Sequence, residues 1–414
     1  MPFDILVLSI GYTGLLVSKT LSRHRNRSKF TFALAGRSIQ KLQKITSDPS
    51  LIDIPTFQVD LSDEMALRSL VSQFRVVINC TSRYYQLSLP VVRACVSQGV
   101  HYLDLTGELP LIMKSIAEFD SRHPIEGGKK SIVVHACGYE SVPSDLCVWE
   151  SARTLDKAFG LRIPLGCSKT SMELKAYVSR GTVSSAIGML KDVPRDLIFQ
   201  SLRPFCLSPI SGPSNPSVRL LYSLRPQLDI VGSFFLLSYN NAAMVNRTWG
   251  LLQLYPCEGA YGIDFEYEEF LAMPYSWISV IISCVSLLIG WMLLYIPPAL
   301  WLAQILLDNE SINPQYEDLK NGYMVATNVT SATYKNQTMS VRTVFKTKGG
   351  DAGYMGSAVT VTECAVLLVI AEAKLPFSQF KCSCVLTPAT AFGSLLTENL
   401  RESGFYEIQS DILN

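Results

Sequence analysis

Short apolar runs alternate with amphipathic helical patterns through the first 150 residues, and this rhythm decides what the chain can fold into. The runs are Asp4–Leu8, Phe30–Ala35, Phe57–Asp60, Val76–Cys80, His101–Asp104 and Ser131–Ala136, with stretches such as Glu64–Phe74 and Leu89–Gln98 between them. Strand–helix alternation at this spacing predicts a parallel sheet, because parallel neighbours need a long crossover that a helix supplies. Continuously apolar strands such as VVINC suit a sheet covered on both faces.

The first run leads into SIGYTG, residues 9–14, and then into the helical pattern LLVSKTLSRH. A dinucleotide-binding turn uses one glycine for the tight turn, a second for close approach of the pyrophosphate and a third for packing helix on strand. Gly11 and Gly14 stand as the second and third, while Leu8 or Ser9 occupies the place of the first. Ser9, Gly11, Tyr12, Thr13 and Gly14 are therefore candidates to cradle phosphates at a helix N-terminus. An ordinary strand-to-helix turn is the alternative. The second run ends in FALAGRS, where an acidic residue would read the ribose hydroxyl of NAD. Arg37 instead suits a 2′-phosphate, through its planar fork. Ser38 can add a hydroxyl or cap the following helix. Asp60 ends the third run near the adenine position, and Asn79, Cys80 and Thr81 end the fourth, where the nicotinamide half lies. The expected fold is α/β: a Rossmann-type doubly wound parallel sheet over residues 1–150 with a second α+β domain.

Beyond Ser151 the rhythm changes. Pro, Ser and Gly cluster at 204–216 (PFCLSPISGPSNP), and Leu174–Val178 and Tyr323–Thr327 read as antiparallel strands. Residues 151–270 and 308–414 are expected to form the second, substrate-covering domain. Between them, Phe270–Leu307 holds 38 positions without one charge. Its part Tyr275–Ile296 is 22 residues long, and a membrane-spanning helix needs about 20. Pro297 and Pro298 break it before a second apolar piece, Ala299–Leu307. Trp277, Trp291, Tyr295 and Trp301 are of the aromatic type favoured at membrane interfaces. A buried core helix, a true span and a hairpin or interfacial insertion all fit this insert, taken as 271–307. Neither flank carries the Lys/Arg excess that orients a span, and a hairpin keeps both halves of the second domain on one side.

Composition agrees with a membrane-contacting segment. Charged residues make up 17% of the chain, against about 25% in soluble domains. The net charge of +1 gives no case for nucleic acid as partner. The 11 cysteines are scattered, lack C-x-x-C spacing and stand apart from the four histidines, so no metal site is expected and a reducing compartment is. The N-terminus has no basic region of a secretory signal.

Several blocks together make the chain similar to the saccharopine dehydrogenase-like oxidoreductases. They are GYTG (11–14), AGRS (35–38), VINC (77–80), PVVRAC (90–95), HYLDLTGE (101–108), GYESVPSDL (138–146), RGTVSSAIG (180–188), GDAGY (350–354) and VLTPAT (385–390). LSPISGP and NRTWGLL are similar to stretches of fungal members. The resemblance implies a Rossmann domain binding NADP(H), covered by an α+β domain, and includes trans-acting enoyl reductases, which reduce a C=C bond of a polyketide- or lipid-like intermediate. The apolar insert resembles one of eukaryotic members and sets the chain apart from lysine-pathway saccharopine enzymes. The chain departs from the family pattern in places. Its turn is one residue short, and Ser82-Arg83-Tyr84 and Ser88-Leu89-Pro90 replace G-P-Y and G-E-P. Glu140 replaces an Asp, and Ser383-Cys384 replaces Gly-Gly.

Reduction of an activated double bond needs a proton donor beside the hydride of the cofactor. Tyr84, after the fourth strand, is the first candidate and Tyr139 the second. Glu108 is expected to bind the nicotinamide ribose or to hold a loop, and Asp145 to complement a helix dipole. Thr387 and Pro388 are expected to close the second domain. Cys80 and Cys137 lack an evident activating base and read as buried apolar residues. The expected partners are a hydrophobic small-molecule or carrier-bound acyl substrate, a membrane or lipid-droplet surface on the cytosolic face, and a second copy of the chain. The alternative is a non-catalytic membrane-associated scaffold with a degenerate cofactor site.

Overall fold

The computed structural model of the chain describes residues 3–120, 131–177, 180–213, 218–255, 261–308, 314–379 and 384–413. The chain forms two compact units, one of Met1–Val142 with Gly353–Ser403 and the other of Pro143–Ala352 with Gly404–Asn414.

The first unit begins with β1 (Ile5–Leu8), α1 (Tyr12–Ser22), β2 (Phe32–Gly36), α2 (Ile39–Thr46), β3 (Thr56–Gln58) and α3 (Glu64–Val71). It continues through β4 (Val76–Asn79), α4 (Tyr84–Gln98), β5 (His101–Asp104), α5 (Leu109–Phe119) and β6 (Ile132–Val134). A return segment adds α13 (Ser357–Ile370), β13 (Cys384–Leu386) and α14 (Pro388–Glu402). The strands form one parallel sheet in the order β13-β6-β5-β4-β1-β2-β3. Six of these strands follow the doubly wound order, which reverses direction between β1 and β4. All of β1, β4 and β5 is buried, as strands covered by helices on both faces must be.

The expected boundary is corrected here. Residues 353–403 belong to the first unit, although the sequence places them with the second domain. β13 pairs with β6 through Cys384↔Ile132, Val385↔Val133 and Leu386↔Val134, and Val385 joins the core of Leu6, Val77 and Val133. Thr387 does not close the second domain either: its hydroxyl accepts the Thr390 amide and caps α14 in the first unit. The segment is locked by Glu363 on α13, which is 2% exposed. Its carboxylate takes both guanidinium nitrogens of Arg25, His24 Nε2 at 3.2 Å and Asn399 Nδ2 at 3.2 Å.

The second unit is led into by α6 (Val142–Phe159) and contains β7 (Leu165–Lys175), α7 (Arg180–Asp192), α8 (Arg195–Ser201), β8 (Tyr222–Ser223), β9 (Val231–Ser233) and α9 (Ser238–Leu254). There follow β10 (Tyr261–Met273), α10 (Ser276–Tyr295), α11 (Pro297–Asp308), α12 (Tyr316–Lys320), β11 (Tyr323–Tyr334), β12 (Gln337–Thr347) and β14 (Tyr406–Leu413). Its sheet runs β14-β12-β11-β7-β10-β9-β8. β7 and β10 are parallel and the remaining pairs antiparallel, as α+β architecture requires. The expected antiparallel pairing of the segments near 174 and 323 is present, with Tyr323 opposite Lys175; Val178 lies outside the described residues. A buried polar layer crosses this sheet, in which Asn328 Nδ2 donates to Ser168 Oγ and Thr170 Oγ1. Asp145 sits in the first turn of α6 and accepts a 2.6 Å bond from Thr248 Oγ1.

α10 is inverted relative to a core helix. Its two buried residues are Ser279 and Ser283, and Ser283 Oγ accepts from the Phe234 amide and donates to the Leu220 carbonyl, both at 2.8 Å. Trp277, Ile281, Leu288, Trp291 and Tyr295 are all more than half exposed. Only 11% of its apolar window is buried, against 72% for the less apolar helix at 352–370. The latter is the core helix of the pair; α10 is not one.

Removal of the Glu363 carboxylate leaves Arg25 and His24 without their shared counter-charge. Glu363→Leu is expected to lower the unfolding free energy by about 3 kcal/mol in urea denaturation. A change below about 0.5 kcal/mol shows that the return segment is held by apolar packing alone.

Candidate functional site

The switch point between β1 and β4 opens a crevice at the carboxyl ends of the strands, the place where doubly wound sheets hold ligands. Its floor is the turn from β1 into α1. Ser9 sits there at φ 66°, the left-handed region that favours glycine. The Ser9 amide donates to the Ala35 carbonyl and the Gly11 amide to the Ser9 carbonyl, both at 2.9 Å. Ser9 thus makes the tight turn that the family assigns to its first glycine, and the turn closes without the missing residue. A Cβ on Gly14 would lie 3.0 Å from the Ser9 carbonyl oxygen and 3.5 Å from Cys80 Cβ, so Gly14 is the packing glycine. A Cβ on Gly11 would meet nothing within 4 Å. Gly11 caps α1 without a side-chain bond, leaving an open helix N-terminus led by Tyr12 and Thr13, the geometry that receives phosphate.

At the end of β2, Gly36 borders this turn, its Cβ position being 3.9 Å from the Ile10 amide. Arg37 is exposed beside it. Ser38 Oγ caps α2, accepting from the Lys41 amide at 3.3 Å. Asp60 accepts the amide and hydroxyl of Ser62, and these bonds, then Arg37, hold its carboxyl below the ordinary value. Ser9, Gly11, Tyr12, Thr13, Gly14, Arg37, Ser38 and Asp60 therefore gather along the ends of β1, β2 and β3.

The remaining candidates gather at the ends of β4, β5 and β6, with divided roles. Asn79 is fully buried. Its Nδ2 donates to Ser88 Oγ and Tyr102 OH at 3.0 Å and its Oδ1 accepts the Thr81 amide at 3.2 Å, so its side chain holds the loop. Thr81 is buried and donates to the Ser82 carbonyl. Cys80 is buried and its thiol is pushed up to about 12 by burial and by Asp104; burial also drives the Cys137 thiol well up. Neither is a nucleophile at neutral pH. Glu108 Oε1 and Oε2 accept the Tyr84 and Tyr85 amides at 3.2 and 2.7 Å. It clamps the N-terminus of α4, where a carboxylate meets the positive end of the helix dipole. Tyr139 is buried, its amide donating to Ser357 Oγ at 2.9 Å.

Tyr84, the first residue of α4, is half-buried, and its hydroxyl has no hydrogen-bond partner among the described residues. Burial, then Cys80, Asp104, Glu140 and Glu108, hold its proton far more tightly than an ordinary phenol's. Glu140 was noted in the sequence only as a departure from the family pattern. It is half-buried, and burial, then Glu108 and Asp104, raise its carboxyl to about 7. Asp104 is also missed by motif reading and stands at the centre. Fully buried, it accepts Tyr102 OH at 2.9 Å, pairs with His135 Nδ1 at 2.7 Å and accepts the Thr106 and Ala136 amides at 3.1 Å.

Residues 5–124 match the family model of the saccharopine dehydrogenase NADP binding domain. The N-terminal part of the chain is thus similar to the NADP-binding domain of saccharopine dehydrogenases. A putative trans-acting enoyl reductase of Mycobacterium tuberculosis is 29% identical over 97% of the chain and 96% of its own length. A trans-acting enoyl reductase of Mycobacterium leprae is 29% identical over 68% of each chain. Among solved structures, apo saccharopine dehydrogenase (L-Glu forming) from Saccharomyces cerevisiae aligns over the whole of both chains at 12% identity with a TM-score of 0.48. These similarities indicate NADP(H) as cofactor and an NADP-dependent oxidoreductase. The residues fit that cofactor: the space above Gly11 is open and would admit a pyrophosphate, and Arg37 is an exposed cation at the end of β2 that would suit a 2′-phosphate.

A serine at φ 66° carries about 1 kcal/mol of strain that glycine lacks. Ser9→Gly is expected to raise the unfolding free energy by up to about 0.5 kcal/mol, after the extra chain entropy of glycine is deducted, and to bind NADPH at least as tightly. A less stable Ser9→Gly variant removes the left-handed turn from the site.

Proposed function

We propose that this oxidoreductase reduces a C=C (or C=N) bond of a hydrophobic acyl or polyketide-type substrate, in the manner of an enoyl reductase. The observation that carries the reading is the uncommitted Tyr84 hydroxyl at the strand ends, in the same cluster of carboxyls as Glu140. The names of relatives that span nearly the whole chain support it. The space left open above Gly11 favours this reading over a non-catalytic scaffold.

Bound NADPH supplies a hydride. The protein then has to deliver a proton to the neighbouring carbon and keep the site dry. Tyr84 OH is the donor at that point: its proton is held firmly, so it hydrogen-bonds to the acceptor rather than ionising in advance. Glu140, half-protonated near neutrality, is the reservoir that returns a proton to it. A catalytic acid is most useful when its pKa lies near the working pH. Asp104 and Glu108 are positioning residues that keep α4 and the β6 loop in register and bias Glu140 toward its protonated form.

The apolar hairpin α10–α11 is read as the element that holds the enzyme at the cytosolic face of a membrane or at a lipid droplet, where such substrates partition. Its outward apolar face, its aromatics near both ends and the break at Pro297 and Pro298 support that reading. Deletion of residues 275–307 is expected to move the protein from the membrane fraction to the supernatant. A deletion variant that stays wholly in the membrane fraction removes the hairpin from this role.

The raised pKa of Glu140 gives the chemistry a sign. The folded protein holds this proton more tightly than the unfolded chain, so Glu140 favours folding below about 4.5 and loses that contribution as pH rises through about 7. Turnover is expected to fall over the same upper range. Glu140→Gln flattens that fall, and Tyr84→Phe lowers kcat by about 100-fold or more with NADPH affinity unchanged. A Tyr84→Phe variant with wild-type kcat on an enoyl-thioester substrate assigns the proton to another donor.

A further inference from the structure

The second unit holds a cavity of about 240 Å³ between α7–α8 and the α10–α11 hairpin. Its walls are apolar, with Leu190, Ile198, Phe199, Leu293 and Leu300 among them, and the Phe199 ring lies tilted against Tyr295 with centroids 6.0 Å apart. The polar lining comes from Lys191 and Arg195. Arg195 is exposed and has no carboxylate partner among the described residues. The aspartates of the same segment, Asp192 and Asp196, do not line the cavity. Trp301 lines it and is 63% exposed, so the cavity opens onto the apolar outer surface of the hairpin.

An apolar cavity of about 150 Å³ is enough to hold a benzene ring. This one therefore takes a short run of methylenes, and the rest of a longer chain can lie along the exposed face of α10. A cation at the edge of an apolar cavity complements a ligand that is apolar along its length and anionic at one end. We propose that the cavity is a binding site for a long-chain fatty acid, with the acyl chain against Leu190, Leu293 and Trp301 and the carboxylate on Arg195. The cavity lies wholly within the second unit, so this site stands whichever bond the cofactor site reduces.

The test uses the full-length protein and cis-parinaric acid, a fluorescent polyene fatty acid, below its micelle concentration, read by energy transfer from tryptophan. Saturable binding is expected, with the methyl ester binding about tenfold more weakly (about 1.4 kcal/mol). Arg195→Glu should weaken the acid about tenfold and leave the ester unchanged. Leu190→Trp, which fills the cavity, should weaken both. NADPH titration of each variant should match wild type, which separates loss of this site from misfolding and from failure of the reductase reading. Equal binding of acid and ester to wild type overturns the proposal, as does an acid affinity indifferent to both substitutions. Displacement of the probe by phosphatidylserine vesicles but not by oleate assigns the cation to a lipid headgroup and overturns the fatty-acid occupant.

Discussion

The close approach of α1 to the end of β1 is the constraint on which the cofactor half of the first unit depends. A helix N-terminus serves as an anion site only when its first amides face the ligand and the strand before it ends abruptly. Gly14 permits that approach, because any side chain there would meet the Ser9 carbonyl and Cys80. Ser9 turns the chain in a conformation that costs a serine about 1 kcal/mol. Burial of β1 and β2 over-determines the turn: the Ser9 amide is tied to the Ala35 carbonyl, and both strands are buried. The strain is therefore carried by the sheet, and the space above Gly11 is left open.

At the other end of the crevice the organising group is Asp104. A fully buried carboxylate survives only when its oxygens are satisfied, and here two side chains and two backbone amides do so. In consequence the loops after β5 and β6 share one anchor, and Glu108 extends it to the start of α4. Burial first, and then the negative charge concentrated in this way, make a further carboxyl harder to ionise, so Glu140 is shifted upward although nothing in its own sequence neighbourhood is unusual.

The parallel sheet was legible because buried parallel strands are continuous apolar runs, and every run expected in the first 150 residues is a strand of this sheet. The strand-to-helix turn at 9–14 and the place of Arg37 after β2 were legible because they are local in sequence. What escaped is non-local. The return of residues 353–403 to the first sheet hangs on a strand as short as Cys384–Leu386, which carries no periodic signal of its own, and on Glu363 meeting Arg25 across the fold. Asn79 and Glu108 looked like ligand contacts, yet their polar atoms are spent on Ser88, Tyr102 and the amides of α4. Glu140 became a candidate acid only once Glu108 and Asp104 were seen beside it. In α10 the composition was plain, but that its serines face inward and its tryptophans outward is a property of packing.

Whether the shortened turn is a working cradle is tested most directly by titrating the purified protein with NADPH and with NADH, followed by cofactor fluorescence, in wild type and in Arg37→Ala. Wild type should bind NADPH in the micromolar range and NADH about tenfold or more weaker, and Arg37→Ala should erase the difference by weakening NADPH alone. No binding of either nucleotide contradicts the cradle at Ser9–Gly14, and equal binding of both, untouched by Arg37→Ala, contradicts the reading of the 2′-phosphate by Arg37.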